Sequence, residues 1–141
     1  MKKILIGVII IFIIMLVTIA VIFYKNGDIS NVNIILKESE IYSNEDINSA
    51  VDIALKYFKK NFKGCSLLEI GYIGDEINNN YINYAKINNK EEVIVLTSSF
   101  NVDSSGGENG ELNPNSKYDD WNWILVRNEN ENWEHVDHGY Y

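Results

Sequence analysis

One cysteine, one proline and two histidines are all that the 141 residues hold of the side chains that most often staple, kink or ligate. A single cysteine, Cys65, allows no internal disulfide, so a folded part of this chain must be held by an ordinary hydrophobic core. Because Cys65 lies far downstream of the N-terminal apolar run, a lipid-bearing cysteine at the end of that run is excluded as well. Cationic charge is also scarce, with 12 Lys and Arg against 20 Asp and Glu and a net charge of −8. With Lys2 and Lys3 ahead of the apolar run, the remainder carries ten cationic residues against twenty acidic ones. So acidic a surface repels phosphate backbones and anionic lipid headgroups, and nucleic acid is not expected as a partner.

What the chain does have is an uncharged apolar run from Ile4 to Tyr24. Its 21 residues make roughly 30 Å of helix, enough to cross the hydrocarbon core of a bilayer once. The run is too long for a signal-peptide core, and its one small-residue cleavage candidate, Thr18-Ile19-Ala20, is followed by the still apolar Val21-Ile22-Phe23-Tyr24. The expectation is therefore an uncleaved signal-anchor over residues 1–24, with cleavage after Ala20 as the alternative. Lys2 and Lys3 precede the run, whereas Lys25 beyond it is offset by Asp28, which predicts a cytoplasmic N-terminus and an extracytoplasmic C-terminal domain.

Residues 25–42 mix Asn, Gly, Asp and Ser with short apolar pieces such as Val32 to Leu36, and read as a stalk that holds at most one short strand or helix turn. The predicted domain spans residues 43–141. It opens with Ser43 as helix cap and with Glu45 and Asp46 at the positive end of the helix dipole. Ile47, Val51, Ala54, Phe58 and Phe62 then recur at helical spacing, Lys56, Lys59, Lys60 and Lys63 gather toward the negative end, and Gly64 suits the left-handed stop. Alternation takes over after Gly64. Strands are predicted at Cys65–Ile73, Tyr81–Ile87, Glu91–Val102, Trp121–Arg127 and Trp133–Asp137, with a long loop from Asp103 to about Asp120. Asn88-Asn89-Lys90 predicts a hairpin between the second and third of these. The fold class expected is α+β, one amphipathic helix wrapped by a curved antiparallel sheet of about five strands.

By that order of elements, Ser43 to Tyr141 resembles the cystatin-like and nuclear transport factor 2-like folds, in which a sheet cups a helix. The segments Tyr57-Phe58-Lys59-Lys60-Asn61-Phe62-Lys63-Gly64-Cys65, Leu112-Asn113-Pro114-Asn115-Ser116 and Trp121-Asn122-Trp123-Ile124-Leu125-Val126-Arg127 also look like those of uncharacterised membrane-anchored or secreted proteins of Firmicutes. The second likeness implies no activity. The first implies a family that includes pocket enzymes, ligand binders and extracytoplasmic modules, and no catalytic motif of it is matched here.

Glu134-His135-Val136-Asp137-His138 holds both histidines, and imidazole beside carboxylate is the usual material of a general base or a metal site. On a regular strand His135 and His138 point to opposite faces while His135 and Asp137 share one, so His135 and Asp137 are the candidate catalytic pair. Asp103-Ser104-Ser105-Gly106-Gly107-Glu108-Asn109-Gly110-Glu111 offers oxygen ligands, but its spacing does not match the calcium loop, and no GxGxxG or P-loop follows the glycines. Neither a metal nor another cofactor is expected. Trp121 and Trp123 share a strand face, which either lines the outside as a partner anchor or turns inward to fill the core or the mouth of a pocket. Cys65 reads as a buried, inert thiol.

Together these features predict a membrane-anchored binding module that uses Trp121, Trp123, Asp103 and Glu108 to meet a protein or cell-envelope partner. The alternative is a pocket that holds a small ligand or supports hydrolysis with His135 and Asp137. An enzyme is the less favoured of the two.

Overall fold

The computed structural model describes the backbone of residues 2–141 and the side chains of residues 4–20 and 26–141. The apolar run forms helix α1, Lys2–Lys25. Its large apolar side chains from Ile4 to Ile19 are 43–73% exposed, so this stretch buries none of its faces against the rest of the chain. Among the described residues no helix is long and apolar enough to cross a membrane. The described side chains of α1 stop at residue 20, so that finding covers only part of Ile4–Tyr24.

Helix α2, Asn44–Asn61, starts where the cap predicts. Ser43 Oγ accepts from the Asp46 amide at 3.1 Å, and the Asp46 carboxylate accepts from the Ser43 amide at 3.2 Å, a reciprocal capping box. Its buried stripe is Ile47, Ala50, Val51, Ala54 and Phe58, of which each larger side chain contributes about 1.5–3 kcal/mol. The chain leaves the helix through Gly64 at φ +71°, where a Cβ would lie 2.5 Å from Ser105 Oγ.

The sheet runs in the order β1 (Asn33–Leu36), β2 (Cys65–Tyr72), β3 (Glu92–Val102), β4 (Lys117–Arg127), β5 (Glu134–Gly139). It is α+β as expected, but the sheet is mixed rather than wholly antiparallel, because β1 pairs parallel to β2. The segment predicted as a stalk thus supplies an edge strand. Gly71 permits it: a Cβ there would sit 1.9 Å from the Ile35 carbonyl oxygen. Stitching starts earlier still. The Gly27 amide donates to the Lys59 carbonyl at 2.9 Å, Asp28 N to Cys65 O at 2.9 Å, and Leu67 N to Asp28 O at 2.8 Å. Ordered backbone pairing therefore begins at Gly27, ahead of Ser43.

A second correction concerns residues 81–87, expected as a strand. They follow a 3-10 turn, Asp75–Tyr81, and form helix α3, Ile82–Ile87. The spacing of Ile77, Tyr81 and Ala85 by four brings these side chains to one side, where they pack on Val93, Val95, Ile124 and Val126. The connection from β2 to its antiparallel neighbour β3 is therefore a helical excursion that covers the second face of the sheet, and no hairpin forms at Asn88-Asn89-Lys90. The result is three layers, with α2 on one face and α3 with its 3-10 turn on the other.

The α2 layer buries Ile94, Leu96, Phe100, Trp123, Leu125 and Trp133. In the other layer Asn78 takes the place of a strand, its side-chain oxygen accepting from the Val95 amide at 2.9 Å while its Nδ2 donates to Tyr72 Oη at 2.8 Å. Arg127 locks the start of α2 to the sheet by pairing with Asp46 at 2.6 Å and with Glu92, and its guanidinium lies 4.1 Å from the Trp133 ring centre.

Candidate functional site

The last strand carries an irregularity that the residue spacing does not announce. Leu125 pairs with His135 and Ile124 with Asp137, so Val136 is an extra residue in β5 with no partner in β4. This bulge resets the alternation of side chains. His135 and His138 consequently share the α2 face, with Nε2 of one 3.2 Å from Nδ1 of the other. Asp137 is turned to the α3 face, where Tyr84 Oη donates to its carboxylate at 3.1 Å. Both expectations about this cluster are thus reversed: the histidines meet, and His135 and Asp137 part.

The imidazole pair lies in an aromatic nest. The His135 ring is 4.0 Å from that of Tyr57, and the His138 ring is 5.2 Å from Trp123 and 5.3 Å from Phe62. Burial, and then the neighbouring His138, push His135 down to about 4, and burial lowers His138 too. At neutral pH both rings are uncharged, and one ring N–H donates to the other ring's nitrogen. On the far face, burial alone would raise Asp137, but hydrogen bonds from Tyr141, the His138 amide and Tyr84 hold it below the usual carboxylate range.

His138 forms one wall of a cleft of about 250 Å³ between the C-terminal end of α2 and β4. Tyr57, Asn61, Phe62 and Trp121 complete the walls, and Glu108, Asn109, Glu111 and Leu112 of the long loop roof it. The loop is tied down by its own backbone, with Leu112 N bonded to Gly106 O at 2.9 Å and Asn115 N to Asp103 O at 2.9 Å. Lys63 at the end of α2 pairs with Glu108 and pins the roof to the helix. Trp121 Nε1 is buried and, among the described residues, has no hydrogen-bond partner. A buried donor left in that state costs about 1–3 kcal/mol.

Of the residues singled out from the sequence, Trp121, Glu108, His138 and Cys65 line the cleft. Trp123 does not; it is fully buried beneath, with its indole N–H donating to Ser98 Oγ at 2.8 Å. Asp103 stands at the base of the loop, where its carboxylate accepts from the Ser105 amide at 2.8 Å and from Ser105 Oγ. That use of its oxygens suits a turn, and among the described residues no three His, Cys, Asp or Glu side chains are grouped to hold a metal. Cys65 is buried and, by burial and then the Asp103 charge, pushed up to about 11, which keeps it a thiol. Tyr57 and Asn61 escaped the sequence reading. Tyr57 stands next to the stripe residue Phe58 in sequence, and nothing local marks its ring as the neighbour of both histidines.

No protein-family model matches the chain, and no characterised protein and no solved structure matches it.

Proposed function

We propose that this chain is a membrane-tethered binding module, held by α1 and facing out of the cell, whose cleft receives one side chain of a protein or cell-envelope partner. The carrying observation is the cleft itself, with aromatic walls from Tyr57, Phe62 and Trp121 and the unpaired Trp121 N–H. Its volume of about 250 Å³ lies below the roughly 300–1,000 Å³ of ordinary small-molecule pockets, which favours an inserted side chain over a whole cofactor. Membrane attachment is supported by the all-round exposure of apolar side chains along α1, a surface that water would not tolerate. The orientation rests on Lys2 and Lys3 ahead of the run.

The hydrolytic alternative draws nothing from this geometry. A general base needs an orienting carboxylate and a pKa near the working pH, while His135 is held near 4 and Asp137 faces the other layer. A photo-crosslinking residue at the exposed Asn109, in the full chain in the cells that produce it, tests the binding reading. One adduct that disappears on Trp121→Ala is expected. The same yield from a crosslinker at Lys86, on α3, or an adduct indifferent to Trp121, overturns it.

A further inference from the structure

The cationic residues of this acidic chain are not spread evenly. Of the ten Lys and Arg beyond Lys3, five are Lys25, Lys56, Lys59, Lys60 and Lys63. The last four stand at i, i+3, i+4 and i+7, neighbouring positions around the end of α2 and the turn that leaves it. Lys56, Lys59 and Lys60 are exposed, and among the described residues none of the three is paired with a carboxylate.

Their position is fixed by the backbone. Only Asn26 separates Lys25, the end of α1, from Gly27, whose amide bonds the Lys59 carbonyl at 2.9 Å. Two residues span at most about 7 Å, so the Lys59 backbone lies within roughly 10 Å of the end of α1 whatever the tilt of that helix. If α1 is in a bilayer, these lysines stand at the height of the headgroups. Asp28 and Asp103 share the recess beside Lys59 and stay ionised, each held below the usual carboxylate range by hydrogen bonds from a serine, Ser30 and Ser105, so they offset part but not all of the charge of the three lysines.

Resting on the membrane reading of α1, we propose that Lys56, Lys59 and Lys60 form a docking face for anionic lipid headgroups, which seats the domain on the bilayer with its cleft held near the surface. The net acidity of the domain does not oppose this. Charges farther than a Debye length of about 8–10 Å are screened, and the far end of the sheet, at Glu92 and Arg127, lies at the other end of an 11-residue strand from Val102, the partner of Cys65. The local lysines decide the interaction.

The full chain is inserted into nanodiscs of phosphatidylcholine, alone or mixed with phosphatidylglycerol, and amine labelling is followed lysine by lysine by mass spectrometry. In the anionic discs Lys56, Lys59 and Lys60 are each labelled about fivefold more slowly, raised salt restores the rate, and Lys86 is unchanged. Equal rates in both lipids, with the chain still in the disc, overturn the headgroup face and leave the membrane reading standing. A chain that does not stay with the disc overturns both. Protection by inorganic phosphate in neutral discs, equal to that given by phosphatidylglycerol, assigns the site to a soluble anion and also overturns the proposal. The variant with Lys56→Gln, Lys59→Gln and Lys60→Gln inserts equally, and quenching of its tryptophan fluorescence by brominated lipid, which reads the distance of the domain from the bilayer, no longer depends on lipid charge.

Discussion

The two faces of the sheet are built from the same strands and differ in almost everything else. Toward α3 the strands present Val93, Val95, Ile124 and Val126, covered by Tyr81 and Ala85, with one polar insertion from Asn78. Toward α2 they present Phe100, Trp123 and Leu125, then the histidine pair, and at one end the cover opens into the cleft. Both covers use rings, Tyr81, Tyr84 and Tyr141 on the α3 side and Tyr57, Phe58 and Phe62 on the α2 side, but the cleft lies on the α2 side, at the edge where Trp121 and His138 stand. The Val136 bulge decides which side each polar group of β5 serves.

The largest expected effect tests that contrast through packing. Trp123→Ala removes a fully buried ring from the α2 layer and is expected to cost about 3–5 kcal/mol in urea unfolding of the full chain in detergent. Val95→Ala, equally buried on the other face, is expected to cost only about 2 kcal/mol. Equal losses would mean that the two layers are not distinct in the way described.

Next is Asn78. Asn78→Ala leaves the Val95 amide and Tyr72 hydroxyl without this partner in a dry layer, and about 1–3 kcal/mol should be lost. Amide exchange at Val95 should speed up while exchange at Leu96 follows only the global change; a uniform acceleration would deny Asn78 its strand-replacing role.

The histidine pair gives a pH signature. An unfolded imidazole takes a proton near 6.5, whereas folded His135 does so only at about 4. Between these values the unfolded chain binds more protons, so the stability held above pH 6.5 is lost as the pH falls through this window. The loss is about 1–2 kcal/mol, since both rings keep part of their solvent contact. Melting curves should show it, and His135→Phe should flatten it; a flat wild-type profile from pH 6.5 to 4 would place the rings in water. Smallest is the cap: Ser43→Ala should cost about 1 kcal/mol, and Ser43→Gly a few tenths, with fraying confined to the first turn of α2.

Legibility followed the range of the interactions. Helix α2 was readable because its cap, stripe and stop all lie within its own residues, and β3 because a β-branched run admits little else. The cleft was half readable: Trp121 and Glu108 were named, but Tyr57 enters it from a helix face that looked like core. A short element is legible around Val32 to Leu36, but not that it is a strand or that it joins the sheet, because four residues in a polar stretch show no periodicity and only Gly71 across the pair makes room for them. Residues 81–87 misled because Tyr81, Asn83, Ala85 and Ile87 can be read with period two, while the spacing that prevailed, Ile77-Tyr81-Ala85, crosses the expected turn. The bulge at Val136 has no glycine or other local mark, and it alone reassigned His135, Asp137 and His138.

The stitching at Gly27 and Asp28 also sets a mechanical path. When α1 is held and a partner is pulled from the cleft, force enters the domain through the three backbone bonds that join Gly27 and Asp28 to Lys59, Cys65 and Leu67. It is then carried by β1 lying parallel along β2, a pair loaded in shear, so that its bonds share the load instead of parting one by one. A stalk of loose chain would have stretched first and passed little of that tension on; this connection carries a tug between the cleft and α1 with almost no slack.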